Sequence, residues 1–144
     1  MRIFALSDIH INYSENRKWM QQLSQYDYKN DVLIIAGDIS DLVLLLIEGF
    51  EAFKQRFLEV LFLPRIDVMP STIPADKRIL YPVLGTRQLE QQVRTLRSKI
   101  HIYGHSHVNR KLSIDGILYI NNAFGYPHEP WTKKKLVCVF DSTL

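Results

Sequence analysis

The chain has 144 residues, 47% hydrophobic and 23% charged, a size and balance that suit one globular domain with a real core and exclude disordered or collagen-like classes. Its net charge of +3 comes from 18 basic and 15 acidic residues, and the one basic run, Lys133, Lys134 and Lys135, lacks interleaved aromatics. It therefore reads as a solvated loop or strand edge, and nucleic acid is not an expected partner.

In chain order, RIFALS reads as a strand, followed by a helix whose Trp19, Met20, Leu23 and Tyr26 recur at helical spacing. DVLIIAGD is an aliphatic run bounded by charge, as in a parallel strand buried on both faces. Asp41 to about Glu59, with Leu42, Leu45, Leu46, Phe50, Phe53 and Phe57, reads as a buried helix. EVLFLP is strand-like, and a proline-punctuated stretch from Pro64 to Pro82 follows. A helix is expected from about Thr86 to Ser98, with Leu89, Val93 and Leu96 on one face, and then a strand at KIHIY. KLSIDGILYI is a hairpin about an Asp-Gly turn, and KKLVCVF closes the sheet. Cys138, in that last run, reads as a small core hydrophobe, and a single cysteine excludes an intrachain disulfide. No apolar run approaches the roughly 18 residues of a membrane span, and the N-terminus lacks the apolar stretch of a secretory signal. A reducing, cytoplasmic setting with no membrane partner is the expectation.

Alternating β and α elements imply a largely parallel sheet, which places working residues just beyond the carboxyl ends of its strands. The first strand runs into Asp8 and His10, the second into Gly37 and Asp38, and the one from Lys99 into Gly104, His105 and His107. Asp8 and His10 are two apart, as are His105 and His107, so in extended backbone each pair projects to one face. Two carboxylates and three imidazoles in one small volume call for a neutralising cation. His101 alternates away from His105, and His128, in the loop GYPHEP, is expected to be exposed.

These residues resemble the calcineurin-like metallophosphoesterases. SDIH is similar to the family's Asp-x-His motif, AGDIS to its Gly-Asp motif and GHSH to its closing Gly-His-x-His, in the family's order. LGTRQLEQQVRTLRSKIHIYGHSH and NNAFGYP extend the likeness over nearly the whole chain. The resemblance implies a single domain over residues 1–144: a layered α/β sheet sandwich flanked by helices, with a metal centre at the carboxyl ends of its strands. It assigns one divalent ion to Asp8, His10, Asp38 and His107 and a second to Asp38 and His105. Manganese, iron or zinc suits such ligands. The substrate it implies is a phosphate ester, cleaved by metal-activated water.

The family's Gly-Asn-His motif and a later histidine ligand have no counterpart, since no histidine lies between Ile11 and Ile100. The chain resembles a member with an internal block missing near residues 61–64. One ion site is then well formed and the second incomplete, and no general acid is evident; Asp41, Asp67, Asn121 and Asn122 are the side chains left that could take that role. Activity is expected to be impaired, and the alternative is an inactive metal-binding remnant with a structural or interaction role. A metal-free doubly wound nucleotide module is disfavoured because no glycine-rich phosphate loop follows the first strand. An apolar flank beside EVLFL is expected to promote self-association.

Overall fold

The computed structural model describes residues 1–63 and 87–143, and their strands form two sheets. The first has the order β3-β2-β1-β7, from β1 (Arg2–Ser7), β2 (Val32–Ala36), β3 (Glu59–Leu63) and β7 (Val137–Asp141). Within it β1, β2 and β3 are parallel, in the register Ser7 to Ala36 to Leu63, and β7 runs antiparallel to β1. The second sheet, in the order β4-β6-β5, comprises β4 (Ile100–Tyr103), β5 (Arg110–Ile114) and β6 (Ile117–Asn121). The expected hairpin is β5 and β6, turning at Asp115 and Gly116 with φ of 49° and 79°. β4 pairs parallel with β6.

Strand alternation builds the layers. Phe4 and Leu6 of β1 and Leu33 and Ile35 of β2 face one way, into a core with Met20 of α1 (Ser14–Gln22) and Phe53 of α2 (Val43–Lys54). Ala5, Ile34 and Ala36 face the other way and meet Ile100 and Ile102 of β4 and Val139 of β7 between the sheets. The outer face of the second sheet packs Tyr103, Ile117 and Tyr119 against Val93 of α3 (Arg87–Thr95). The expected layered sandwich is thus present: helices, sheet, sheet, helix.

Two polar devices fix the first half. The Asp31 carboxylate accepts from the Arg2 backbone N–H at 2.8 Å and from its Nε at 3.0 Å, tying the start of β1 to the entry of β2. Arg56, only 5% exposed, donates to the carbonyls of Gln21, Leu23 and Ala52 at 2.7–3.0 Å and so satisfies acceptors at the ends of both α1 and α2.

Several sequence expectations change. α2 is buried on one face alone: Gly49 and Phe53 point inward, while Leu42, Val43, Leu44 and Ile47 are 54–82% exposed. Apolar content set that expectation, whereas one stripe of a helix resting on a sheet edge is all the sheet can cover. The same flank continues on the edge strand β3, where Leu61 and Phe62 are 45% and 41% exposed. Tyr26 lies beyond the end of α1 and is 82% exposed, and Leu96, past the end of α3, is 77% exposed. Cys138 is exposed, because β7 alternates and its inward position is Val139. The proline-punctuated stretch, Asp67 and the side chain of Leu89 lie outside the described residues.

Candidate metal centre

All five side chains singled out in the sequence meet where β1, β2 and β4 end. Two groups form whose ligand atoms lie within 4.8 Å of one another: Asp8, His10 and His107, and Asp8, Asp38 and His105. The carboxylate common to both is Asp8, at 0% exposure. Its Oδ1 accepts from the Asp38 N–H at 3.1 Å and its Oδ2 from the His105 N–H at 2.7 Å. Among the described residues no lysine or arginine pairs with it. A carboxylate buried without a cationic partner is costly, and a bound cation supplies what is missing.

Backbone geometry delivers these groups differently from the extended projection expected. Asp8, His10, His105 and His107 have φ of 49°, 46°, 87° and 50°, so each loop leaves the strand at once and curls in the left-handed region. Non-glycine residues hold such angles at a cost of order 1–3 kcal/mol each and persist only where the surroundings enforce them. The strain is concentrated on the ligand-bearing residues. Gly37, at φ 95°, makes room for Asp8: a Cβ there would lie 2.3 Å from Asp8 Oδ1. A Cβ on Gly104 would lie 2.5 Å from the Ala36 carbonyl and 2.7 Å from Asp8 Oδ2. Both glycines thus cradle the same carboxylate, and these residues fit a divalent ion with mixed oxygen and nitrogen donors.

The imidazole end is the better braced. His10 Nε2 and His107 Nε2 face each other at 3.0 Å. His107 Nδ1 meets Glu129 Oε2 at 2.8 Å, and a carboxylate there holds the proton on Nδ1 and leaves the Nε2 lone pair free for an ion. Burial pushes the Glu129 carboxyl up, but the Tyr126 N–H at 2.8 Å and then His107 outweigh it, leaving the group below its ordinary value and ionised at neutral pH. Burial, and then the neighbouring His107, lowers the pKa of His10, which favours the neutral, ligating form. Asn16, 2% exposed on α1, donates Nδ2 to the Ile9 carbonyl at 2.7 Å and to that of Gly125 at 2.9 Å, clamping the His10 loop to the segment after β6. Glu129, Asn16 and Tyr126 were not singled out in the sequence. An acid within GYPHEP, in the segment that follows NNAF, was the available signal for the first.

Tyr126 is half-buried, its ring 4.5 Å from that of His10 and 4.7 Å from that of His107. Burial, then Tyr13, and then the carboxylates of Glu129, Asp38 and Asp41 raise its phenol above the ordinary value. Asp38 and His105 are half-exposed, and His128 is exposed as expected. Of the side chains considered for the missing acid, Asp41 is exposed, while Asn121 and Asn122 are engaged in the fold. Asn121 Oδ1 accepts from the Ala123 N–H at 3.1 Å, and Asn122 Nδ2 donates to the carbonyls of Ala5 and Lys135 at 3.1 and 3.0 Å.

Comparison with known proteins bears on the fold and on the sequence of the first half. The first 67 of the 144 residues match the model of the calcineurin-like phosphoesterase family. Phosphopantetheinyl hydrolase from Mycobacterium tuberculosis is similar in structure, with a TM-score of 0.64 at 14% identity over 99% of this chain and 97% of that one. The chain carries the calcineurin-like phosphoesterase fold, and its first half carries the family's sequence. A single mutant of Vps29 from Entamoeba histolytica is also similar, with a TM-score of 0.54 at 13% identity over 92% of this chain and 79% of that one. Vacuolar protein sorting 29 from Cryptosporidium parvum gives 0.50 at 17%, over 83% and 72%. At such identities these structures speak for the calcineurin-like phosphoesterase fold alone. No curated protein matches the sequence. Among the described residues, no helix is long and apolar enough to cross a membrane.

Proposed function

We propose that this chain is a single-domain, metal-dependent phosphoesterase-family hydrolase, with Asp8, His10, Asp38, His105 and His107 as its ion ligands. The observation that carries the reading is the buried Asp8 carboxylate, shared by two donor groups and cradled by Gly37 and Gly104, with no cationic side chain beside it among the described residues. A divalent ion, manganese, iron or zinc by the donor set, supplies Lewis acidity toward a phosphoryl oxygen. The chain's own residues do the rest. Asp8 holds the two donor groups together, Glu129 fixes the tautomer of His107, and half-exposed Asp38 and His105 form the side open to a phosphate ester. Missing assistance to the leaving group typically lowers rates by about 10² to 10⁴, so esters with good leaving groups are the preferred substrates.

A second reading, an ion-binding chain without turnover, is favoured by one observation: Asn121 and Asn122 are committed to the fold and Asp41 faces solvent, so none stands ready as a proton donor. On either reading we place the chain in the cytoplasm and pair the apolar α2 and β3 flank with a second copy of the chain; sedimentation as a monomer at every concentration would remove that partner.

The deciding experiment loads the purified chain with Mn²⁺, measures bound metal, and follows hydrolysis of an aryl phosphate and a bis-aryl phosphate. About one tightly held ion per chain and slow hydrolysis, abolished by Asp38→Asn, are expected. Bound ion without turnover selects the second reading. Failure of the wild type to bind any divalent ion would refute both.

A further inference from the structure

Tyr126 belongs to the wall of the metal centre and carries a polar atom that the fold does not use among the described residues. Its backbone is pinned on both sides: the N–H donates to Glu129 Oε2, the carboxylate oxygen that also holds His107, and the carbonyl accepts from Lys134 Nζ at 2.8 Å. The preceding residue is fixed as well, its N–H donating to the Asp8 carbonyl at 2.9 Å. The ring is packed among His10, His107, Tyr13 and His128, at centroid distances of 4.5 to 5.5 Å. Its hydroxyl has no hydrogen-bond partner among the described residues. Lys134 commits two of its three N–H donors to the carbonyls of Phe124 and Tyr126, which holds it against the loop backbone.

A phosphate ester drawn to the ion brings several anionic oxygens, and the ion side satisfies only some of them. We infer that Tyr126 is the substrate-binding donor of this centre, its hydroxyl hydrogen-bonding a phosphoryl oxygen while its ring steadies the two imidazoles. The inference rests on the proposed ion site and deepens it, because it names the group that recognises the phosphoryl end of the ester. A donor fixed in advance by its backbone and ring contacts needs no reorganisation when the anion arrives.

Ring and hydroxyl can be separated. Calorimetric titration of Mn²⁺ into the full chain, and then of inorganic phosphate into the Mn²⁺-loaded chain, is compared for wild type, Tyr126→Phe and Tyr126→Leu. The phenylalanine variant keeps the ring and should hold Mn²⁺ within about twofold of wild type, yet bind phosphate roughly ten- to a hundredfold more weakly, as expected for a lost bond to a charged acceptor. The leucine variant loses the ring and should weaken Mn²⁺ itself. Unchanged phosphate affinity in Tyr126→Phe, or no phosphate binding by the loaded wild type, would overturn the inference. So would a parallel loss of Mn²⁺ in Tyr126→Phe, which would make the hydroxyl part of the ion site. Failure of the wild type to take up Mn²⁺, Zn²⁺ or Fe²⁺ appears before any phosphate is added, and it refutes the functional reading itself.

Discussion

The two ends of the metal centre are built to different standards. At the imidazole end, His10 and His107 are buried, and each is held by something beyond itself: Glu129 on Nδ1 of His107, Tyr126 against both rings, and Asn16 on the loop carrying His10. At the other end, Asp38 and His105 are half-exposed, and the bonds they make with Asp8 come from their backbone N–H groups. A buried side chain fixed by its neighbours binds an ion without first losing its freedom, whereas a more exposed imidazole such as that of His105 must still be ordered. The two donor groups have three residues each, so the difference between the ends lies in the support around the ligands rather than in their number.

The largest way to break this asymmetry is at Glu129. Glu129→Gln removes the charge that holds the His107 proton on Nδ1, and losing the partner behind a ligating histidine typically lowers metal affinity about 10- to 100-fold. Calorimetric titration of Mn²⁺ should show a loss in that range. His105→Ala, at the more exposed end, should weaken the ion held by His10 and His107 much less. Equal losses in the two variants would mean that the bracing does not set affinity.

Asn16 gives a smaller effect, read mainly in stability. Asn16→Leu leaves the buried carbonyls of Ile9 and Gly125 without their side-chain donor, and an unsatisfied buried group costs about 1–3 kcal/mol. Urea denaturation of the metal-free chain should show a fall of that size, and Mn²⁺ affinity should fall with it, because the same bond links the His10 loop to the segment that carries Tyr126 and Glu129. Lost stability with untouched ion affinity would confine Asn16 to the fold.

What could be read in advance follows the range of the interactions. Strand patterns are local, so β1, β2, β4 and the Asp-Gly hairpin are legible from a few residues, and with the first three come the strand ends that deliver Asp8, Asp38 and His105. The bracing residues act across long stretches of chain. Asn16 meets Gly125, and Glu129 meets His107, only after β6 has paired with β4 and the sheets have stacked, and no local pattern announces that. The outer face of α2 shows the converse error. Its leucines carry the composition of a buried helix, but composition does not say how much sheet is available to cover them, and Leu44 remains 82% exposed. Spacing of two predicts a shared face on an extended strand, but the ligand pairs share a site because each loop curls at positive φ.

His101 supplies the control, an imidazole on β4 away from both ends of the centre. It is packed against Tyr103 and Tyr119, with its Nε2 buried and unpaired, and burial lowers its pKa below the ordinary histidine value. The folded chain therefore binds fewer protons than the unfolded chain wherever the unfolded imidazole is charged. Stability then rises with pH up to the unfolded value of about 6.5 and falls as pH drops below it. His101→Phe keeps an aromatic ring at the site and removes the proton. The variant's thermal midpoint should track wild type at pH 7.5 and fall less steeply between pH 6.5 and 5.5. His10 is shifted the same way, so a slope remains in the variant, and the difference between the two profiles isolates His101. Profiles that stay parallel down to pH 5.5 would mean that the imidazole finds a partner when protonated, and the contrast between braced and unbraced histidines would then have to be drawn without it.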